Sequence, residues 1–94
     1  MANTQTLRLC IIGDFPDNAM VDWVVRRARL LDLAGGIERQ NSTRIELQAS
    51  GDQVLLEALE VACSLGPVSA QVDSIVRRDM PITFNRRQSP FVRY

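Results

Sequence analysis

The sequence predicts an α+β sandwich in which an antiparallel sheet carries two helices on one face. Three observations lead there. Apolar residues alternate with period two over residues 7–12 and 44–50, as in strands whose faces meet different surroundings. Residues 19–32 and 52–65 place apolar side chains at helical spacing instead. Their order, strand, helix, strand, strand, helix, strand, packs most simply with both helices on one side of a single sheet.

Residues 1–6 are polar and are expected to fray. Leu7, Leu9 and Ile11 then share one face and Arg8, Cys10 and Ile12 the other; because the second face is also largely apolar, an interior strand is expected. Pro16 cannot donate to a ladder and makes residues 15–18 a turn. The first helix is expected over residues 19–32 with Asp17 or Asn18 as N-cap, Val21, Val24, Val25, Ala28 and Leu31 toward the core, and Trp23 at its margin. Arg26, Arg27 and Arg29 form a solvated face near the end where the helix dipole favours positive charge.

Ala34-Gly35-Gly36 is expected to break that helix and supply positive φ. Strands over 36–40 and 44–50 follow, joined by the hairpin-like Asn41-Ser42-Thr43; Ile45, Leu47 and Ala49 form a buried face and Arg44, Glu46 and Gln48 a wet one. Ser50-Gly51-Asp52 introduces the second helix, which stops at Gly66-Pro67. Its core face is expected to be Leu55, Leu56, Leu59, Ala62, Cys63 and Leu65, with Glu57 and Glu60 in solvent. A fourth strand over 68–78 alternates through Val68, Ala70 and Val72 and changes phase at Ser74-Ile75, which suggests a bulge or a strand end. Phe91-Val92-Arg93-Tyr94 reads as a short extra strand. The whole is a ferredoxin-like βαββαβ sandwich with a short C-terminal strand, one domain over residues 1–94.

Composition narrows the chemistry. Eleven basic and eleven acidic residues balance, so nothing draws the whole molecule to nucleic acid or an anionic membrane. Every basic residue is arginine, and there is no lysine or histidine, which removes a lysine Schiff base, a histidine base and the commonest zinc ligand. All-arginine usage fits bidentate anion recognition, but genomic codon bias is the plainer source. Cys10 and Cys63 have no metal-site spacing and are expected as small buried core residues. No metal or cofactor is expected. The first residues lack the pattern of a signal peptide and no apolar run is long enough to span a bilayer, so a cytoplasmic protein is expected.

With the second helix in view, the chain resembles the acylphosphatases, small enzymes that hydrolyse carboxyl phosphates without metal or cofactor. The resemblance spans nearly the whole sequence. It rests on the strand-loop-helix spacing from Leu9 to Ala28, on Leu31-Asp32-Leu33-Ala34-Gly35 in place of Leu-Gly-Leu-x-Gly, and on residues 45–51 before the second helix. It continues through Leu55 to Leu59, Gly66-Pro67, residues 70–75 and the closing Phe91-Val92-Arg93-Tyr94. The shared order and spacing of these matches imply the same fold, whereas function depends on the site.

In that family the first loop reads Gly-x-Val-Gln-Gly-Val-Gly-Phe-Arg. The resemblance implies a backbone that wraps a phosphate, an arginine that neutralises it, and an asparagine on the second strand that positions water. Here Gly13 keeps the first glycine; Asp14 follows, Pro16, Asp17 and Ala19 replace the Gln and the next two glycines, Asn18 lies between, and Val21 replaces the arginine. Arg39 stands at the asparagine position. Pro16 removes a donor, Asp14 and Asp17 repel an anion, and Val21 cannot form charge-assisted hydrogen bonds.

No catalytic residue is assigned, and the family loop is read as degenerate. The favoured function is an acylphosphatase-like domain without acylphosphatase activity, kept for binding or regulation. The alternative is a divergent acylphosphatase with a rebuilt anion site, for which Arg39 is the candidate residue; the plainer expectation for Arg39 is a surface arginine paired with Glu38 or Glu46. An RNA-recognition fold shares the element order, but LRLCII and TRIELQAS lack the aromatic residues that stack bases. A protein partner or a homodimer remains open, including a ligand-sensing dimer. Residues 77–94 hold five arginines and one acidic residue, Asp79, which suits either a solvated loop or a salt-sensitive contact with an acidic partner.

Overall fold

The computed structural model describes residues 4–80 and 92–93. The elements are β1 (Thr4–Asp14), α1 (Ala19–Leu30), β2 (Ala34–Gln40), β3 (Arg44–Asp52), α2 (Gln53–Leu65), β4 (Gln71–Met80) and β5 (Val92–Arg93). They form one sheet in the order β4-β1-β3-β2-β5, antiparallel throughout except for the short parallel pairing of β5 with β2. β1 is interior as expected, and Thr4 to Thr6 belong to it rather than fraying. The tail arginines Arg86 and Arg87 lie outside the described residues.

The core fills the space between sheet and helices. Leu7, Leu9 and Ile11 of β1 and Ile45, Leu47 and Ala49 of β3 meet Met20, Val21, Val24, Val25 and Ala28 of α1 and Leu56, Leu59 and Cys63 of α2. Burial pushes the Cys63 thiol up to about 12, helped by the nearby Glu60 carboxylate. Cys10 departs from expectation: it lies half-buried on the opposite face of β1, where the Arg44 Nε–H donates to its Sγ at 3.2 Å. That face of the sheet is the wet one, held by the ion pairs Arg8–Glu38 at 3.0 Å and Arg44–Glu46 at 2.9 Å.

The ends of the elements show how the sequence sets them. α1 stops two residues before expectation because Asp32 takes a left-handed backbone, φ 56. The Leu33 N–H returns to the Ala28 carbonyl and the Asp32 N–H to Arg29, a Schellman closure that drives Leu33 into the core. Positive φ at the break thus belongs to Asp32 and Gly35, and Gly36 is an ordinary buried strand residue. α2 begins on Asp52, whose carboxylate accepts from the Val54 N–H at 2.9 Å, and ends on Gly66 with φ 64. Leu65, expected in the core, is exposed, and Glu60 leans over β4 to pair with Arg77 at 2.8 Å. Val68 is fully exposed in a turn that the Ala70 N–H closes onto Pro67, so β4 starts at Gln71. Of the two readings of the phase change the structure has the bulge, centred on Asp73: β1 pairs Ile12 with Ser74 and then Gly13 with Val72.

Candidate functional site

β1 delivers the chain into the loop of residues 13–18, whose length the strand-loop-helix spacing sets. Gly13 is fixed by its neighbour strand, since a Cβ there would run into the Gln71 carbonyl of β4. Its N–H donates to the Thr43 carbonyl at 3.0 Å, and the Phe15 N–H donates to Ser42 at 2.8 Å. Pro16 has no N–H to offer. The Asp17 carboxylate then accepts from the Ala19 N–H at 2.9 Å. Asn18 is the N-cap residue of α1 but makes no side-chain capping bond, so the capping bond comes from Asp17, one residue earlier.

On the other side, Asn41 folds the β2–β3 hairpin by accepting from the Thr43 N–H at 2.9 Å and the Thr43 hydroxyl at 3.1 Å. Loop and hairpin together enclose a cleft of about 270 Å3. Phe15, Val21 and Ile45 form its apolar wall; Asp17, Asn18, Gln40, Asn41 and Ser42 supply its polar groups, with Pro16 at the edge. Val21 is buried in the core cluster, at the base of the cleft. Asp14 is exposed at the end of β1. No basic side chain among the described residues lines this space.

Arg39 does not line it. β2 pairs Ile37 with Leu47 and next Arg39 with Glu46, so Glu38 is an extra residue in the strand. Ile37 and Leu47 face the helices, whereas Arg39 lies opposite Glu46 on the wet side and Gln40 opposite the buried Ile45. The bulge therefore exchanges Arg39 for Gln40 at the cleft. Nor does Arg39 pair with Glu38 or Glu46, which are engaged by Arg8 and Arg44. Gln40, Asn41 and Ser42 are cleft residues that the sequence does not single out; the signal for Asn41 and Ser42 is their place in the hairpin, whereas Gln40 depends on the bulge.

Among the described residues, no group of three or more histidine, cysteine, aspartate or glutamate side chains could hold a metal ion. No helix among them is long and apolar enough to cross a membrane.

No family model matches the chain. Individual relatives do. It is 36% identical to an acylphosphatase of Rhodospirillum rubrum over 71 residues, covering 76% of this chain and 78% of that one. The chain belongs to the acylphosphatase family. A second acylphosphatase, from Nitratidesulfovibrio vulgaris, is 32% identical over 71 residues, with coverage of 76% and 71%. The match to the acylphosphatase of Synechococcus sp. strain RCC307 is higher in identity, 44% over 50 residues, but spans only 43% of that relative's length.

Solved acylphosphatase structures share the architecture. The Coxiella burnetii protein superposes with a TM-score of 0.85 over 98% of this chain and 94% of its own, at 20% identity. The Bacillus subtilis acylphosphatase gives 0.81 over 93% and 94%, also at 20%. The fold also matches part of full-length HypF in its phosphate- and nucleotide-bound form, with a TM-score of 0.79 over all of this chain and 12% of that one.

Proposed function

We propose that this acylphosphatase-family domain does not hydrolyse acyl phosphates and keeps its loop cleft for binding or regulation. The observation that carries the reading is the Asp17 carboxylate accepting the Ala19 N–H inside the loop. An anion bound by this loop would need that donor, and would meet a negative charge already seated on it. The rest of the site is consistent. The Phe15 N–H is committed to Ser42, Pro16 has none, and Val21 occupies the family arginine position as a buried apolar residue. Electrostatic stabilisation of the transition state is usually the largest catalytic term, and no cation among the described residues lines this cleft to supply it.

Purified protein should leave acetyl phosphate and benzoyl phosphate decaying at the buffer rate. Turnover well above buffer would overturn the proposal. If that turnover were abolished by Arg39→Ala, the family reaction would have survived on a rebuilt anion site.

A further inference from the structure

The helical layer carries a pattern that neither the core nor the cleft uses. On α2, Leu56, Leu59 and Cys63 turn toward the sheet, while Val54, Ala58, Val61 and Leu65 recur on the opposite side at coiled-coil-like spacing. Val54 is 70% exposed, Val61 60% and Leu65 71%. α2 has no basic residue, and Glu57 and Glu60 flank the stripe. α1 presents the complement: Arg26 and Arg27 are exposed, beside Leu30 at 72%.

The two helices run antiparallel. The Trp23 indole N–H, near the start of α1, donates to the Ala62 carbonyl near the end of α2 at 2.9 Å. Counting along both helices from that contact, Arg26 lies level with Leu59, between Glu57 and Glu60, Arg27 lies level with Ala58, and Leu30 lies level with Leu55, one residue from Val54.

We propose that the helical layer is a self-association surface on which a second copy of this chain docks face to face. The two-fold axis runs parallel to the helices and sets α1 of each copy over α2 of the other. Rotation about such an axis leaves every residue at its own height, so the register cannot be adjusted. In that one register the partner's Arg26 comes down between Glu57 and Glu60, where Glu60 is already paired with Arg77 and Glu57 is the carboxylate left to it, and the partner's Leu30 comes down beside Val54 and Leu55; symmetry repeats both contacts. The perpendicular axis would stack α1 on α1 and α2 on α2, setting the arginine-rich helix and the acidic helix each against its own copy, which is repulsive.

Helices of 12 and 13 residues are about 18–20 Å long. At the usual interaxial spacing of about 8–10 Å, the pair offers a footprint of about 400 Å2 per copy. Allowing for side-chain relief, the total burial is on the order of 1,000 Å2, near the lower bound for a specific interface. The dimer is therefore a weak one whose specificity and salt sensitivity come from the charges.

Sedimentation equilibrium over a concentration series, at low and high salt, tests this. The wild-type chain should dimerise, more tightly at low salt. Arg26→Glu and Glu57→Arg should each weaken the dimer about ten- to thirty-fold, because each turns two attractions into two repulsions. An equimolar mixture of the two variants should regain wild-type affinity, since the heterodimer pairs Glu with Arg at both contacts. Circular dichroism establishes that each variant is folded, and Leu30→Glu gives an independent weakening at the apolar contact. A chain still monomeric at about 1 mM, tighter association of Arg26→Glu, or a mixture no tighter than its components would overturn the proposal.

Discussion

Restoring the family side chains at the two named positions, by Val21→Arg together with Arg39→Asn, should not restore hydrolysis. Val21 is buried at the base of the cleft, so replacing it forfeits about 1.5–3 kcal/mol of apolar burial. The new guanidinium would enter a cleft that the Asp17 carboxylate also lines, which draws the charge away from any substrate oxygen. The donors remain the limiting loss. Gly13 and Phe15 give their N–H groups to Thr43 and Ser42, Pro16 has none, and Ala19 gives its own to Asp17. Removing one such donor from an oxyanion site typically lowers kcat by about 10²–10³-fold. Asparagine at position 39 would also point away from the cleft, because the extra residue at Glu38 turns that position to the wet face. Acetyl phosphate turnover by the double variant should therefore stay within a few-fold of the parent, alongside a urea midpoint lowered by a loss of about 2 kcal/mol. Turnover raised a hundredfold or more would refute the reasoning, because it would mean that charge alone, without the loop donors, suffices.

Three further outcomes follow from the structure. Asp32→Gly relieves a left-handed backbone at a non-glycine residue and should stabilise the fold by up to about 1 kcal/mol, read as a Tm rise of about 4–8 °C. Gly13→Ala drives a methyl group into the Gln71 carbonyl and should destabilise by about 1–3 kcal/mol; an unchanged Tm would show that β4 can move aside. Cys63 has its folded pKa raised from an ordinary 9.0 to about 12, so between those values the unfolded chain loses the proton and the folded chain keeps it. Stability should consequently fall by about 1.4 kcal/mol per pH unit above pH 9, a slope that Cys63→Ala removes, as urea unfolding at pH 8–10.5 would reveal.

Those effects also mark what could be read from the residues alone. The bulge in β4 left a trace because apolar residues lie on both sides of it: Val72 and Ile75 face the core, and the slip between them breaks the alternation. The bulge in β2 left none. Glu38, Arg39 and Gln40 are all polar, so an extra residue among them shifts no apolar pattern, and Arg39 could not be placed on a face. Cys10 was misread for a related reason, as its neighbours across the sheet are Glu46 and Val76 and only the register reveals that they sit on the open side. Leu65 follows Val61 by four residues and so falls on the outer stripe of Val54, Ala58 and Val61, away from Leu56, Leu59 and Cys63.

The same loop shows which parts of a site the fold itself retains. Gly13 persists at a position where a side chain would collide with β4, so its presence reports on strand packing and carries no information about phosphate. The turn into α1 likewise needs its first N–H groups satisfied whether or not an anion is present. A loop built for phosphate leaves those donors to water until the substrate arrives; here Asp17 takes one permanently, and the hairpin carbonyl of Ser42 takes another. Val21, at the position where the family resemblance implies an arginine, is buried in the core cluster and lines the cleft with Ile45. On the proposed reading each of these residues satisfies the resting fold at the expense of binding an anion, so reversing one or two of them leaves the others opposing the reaction.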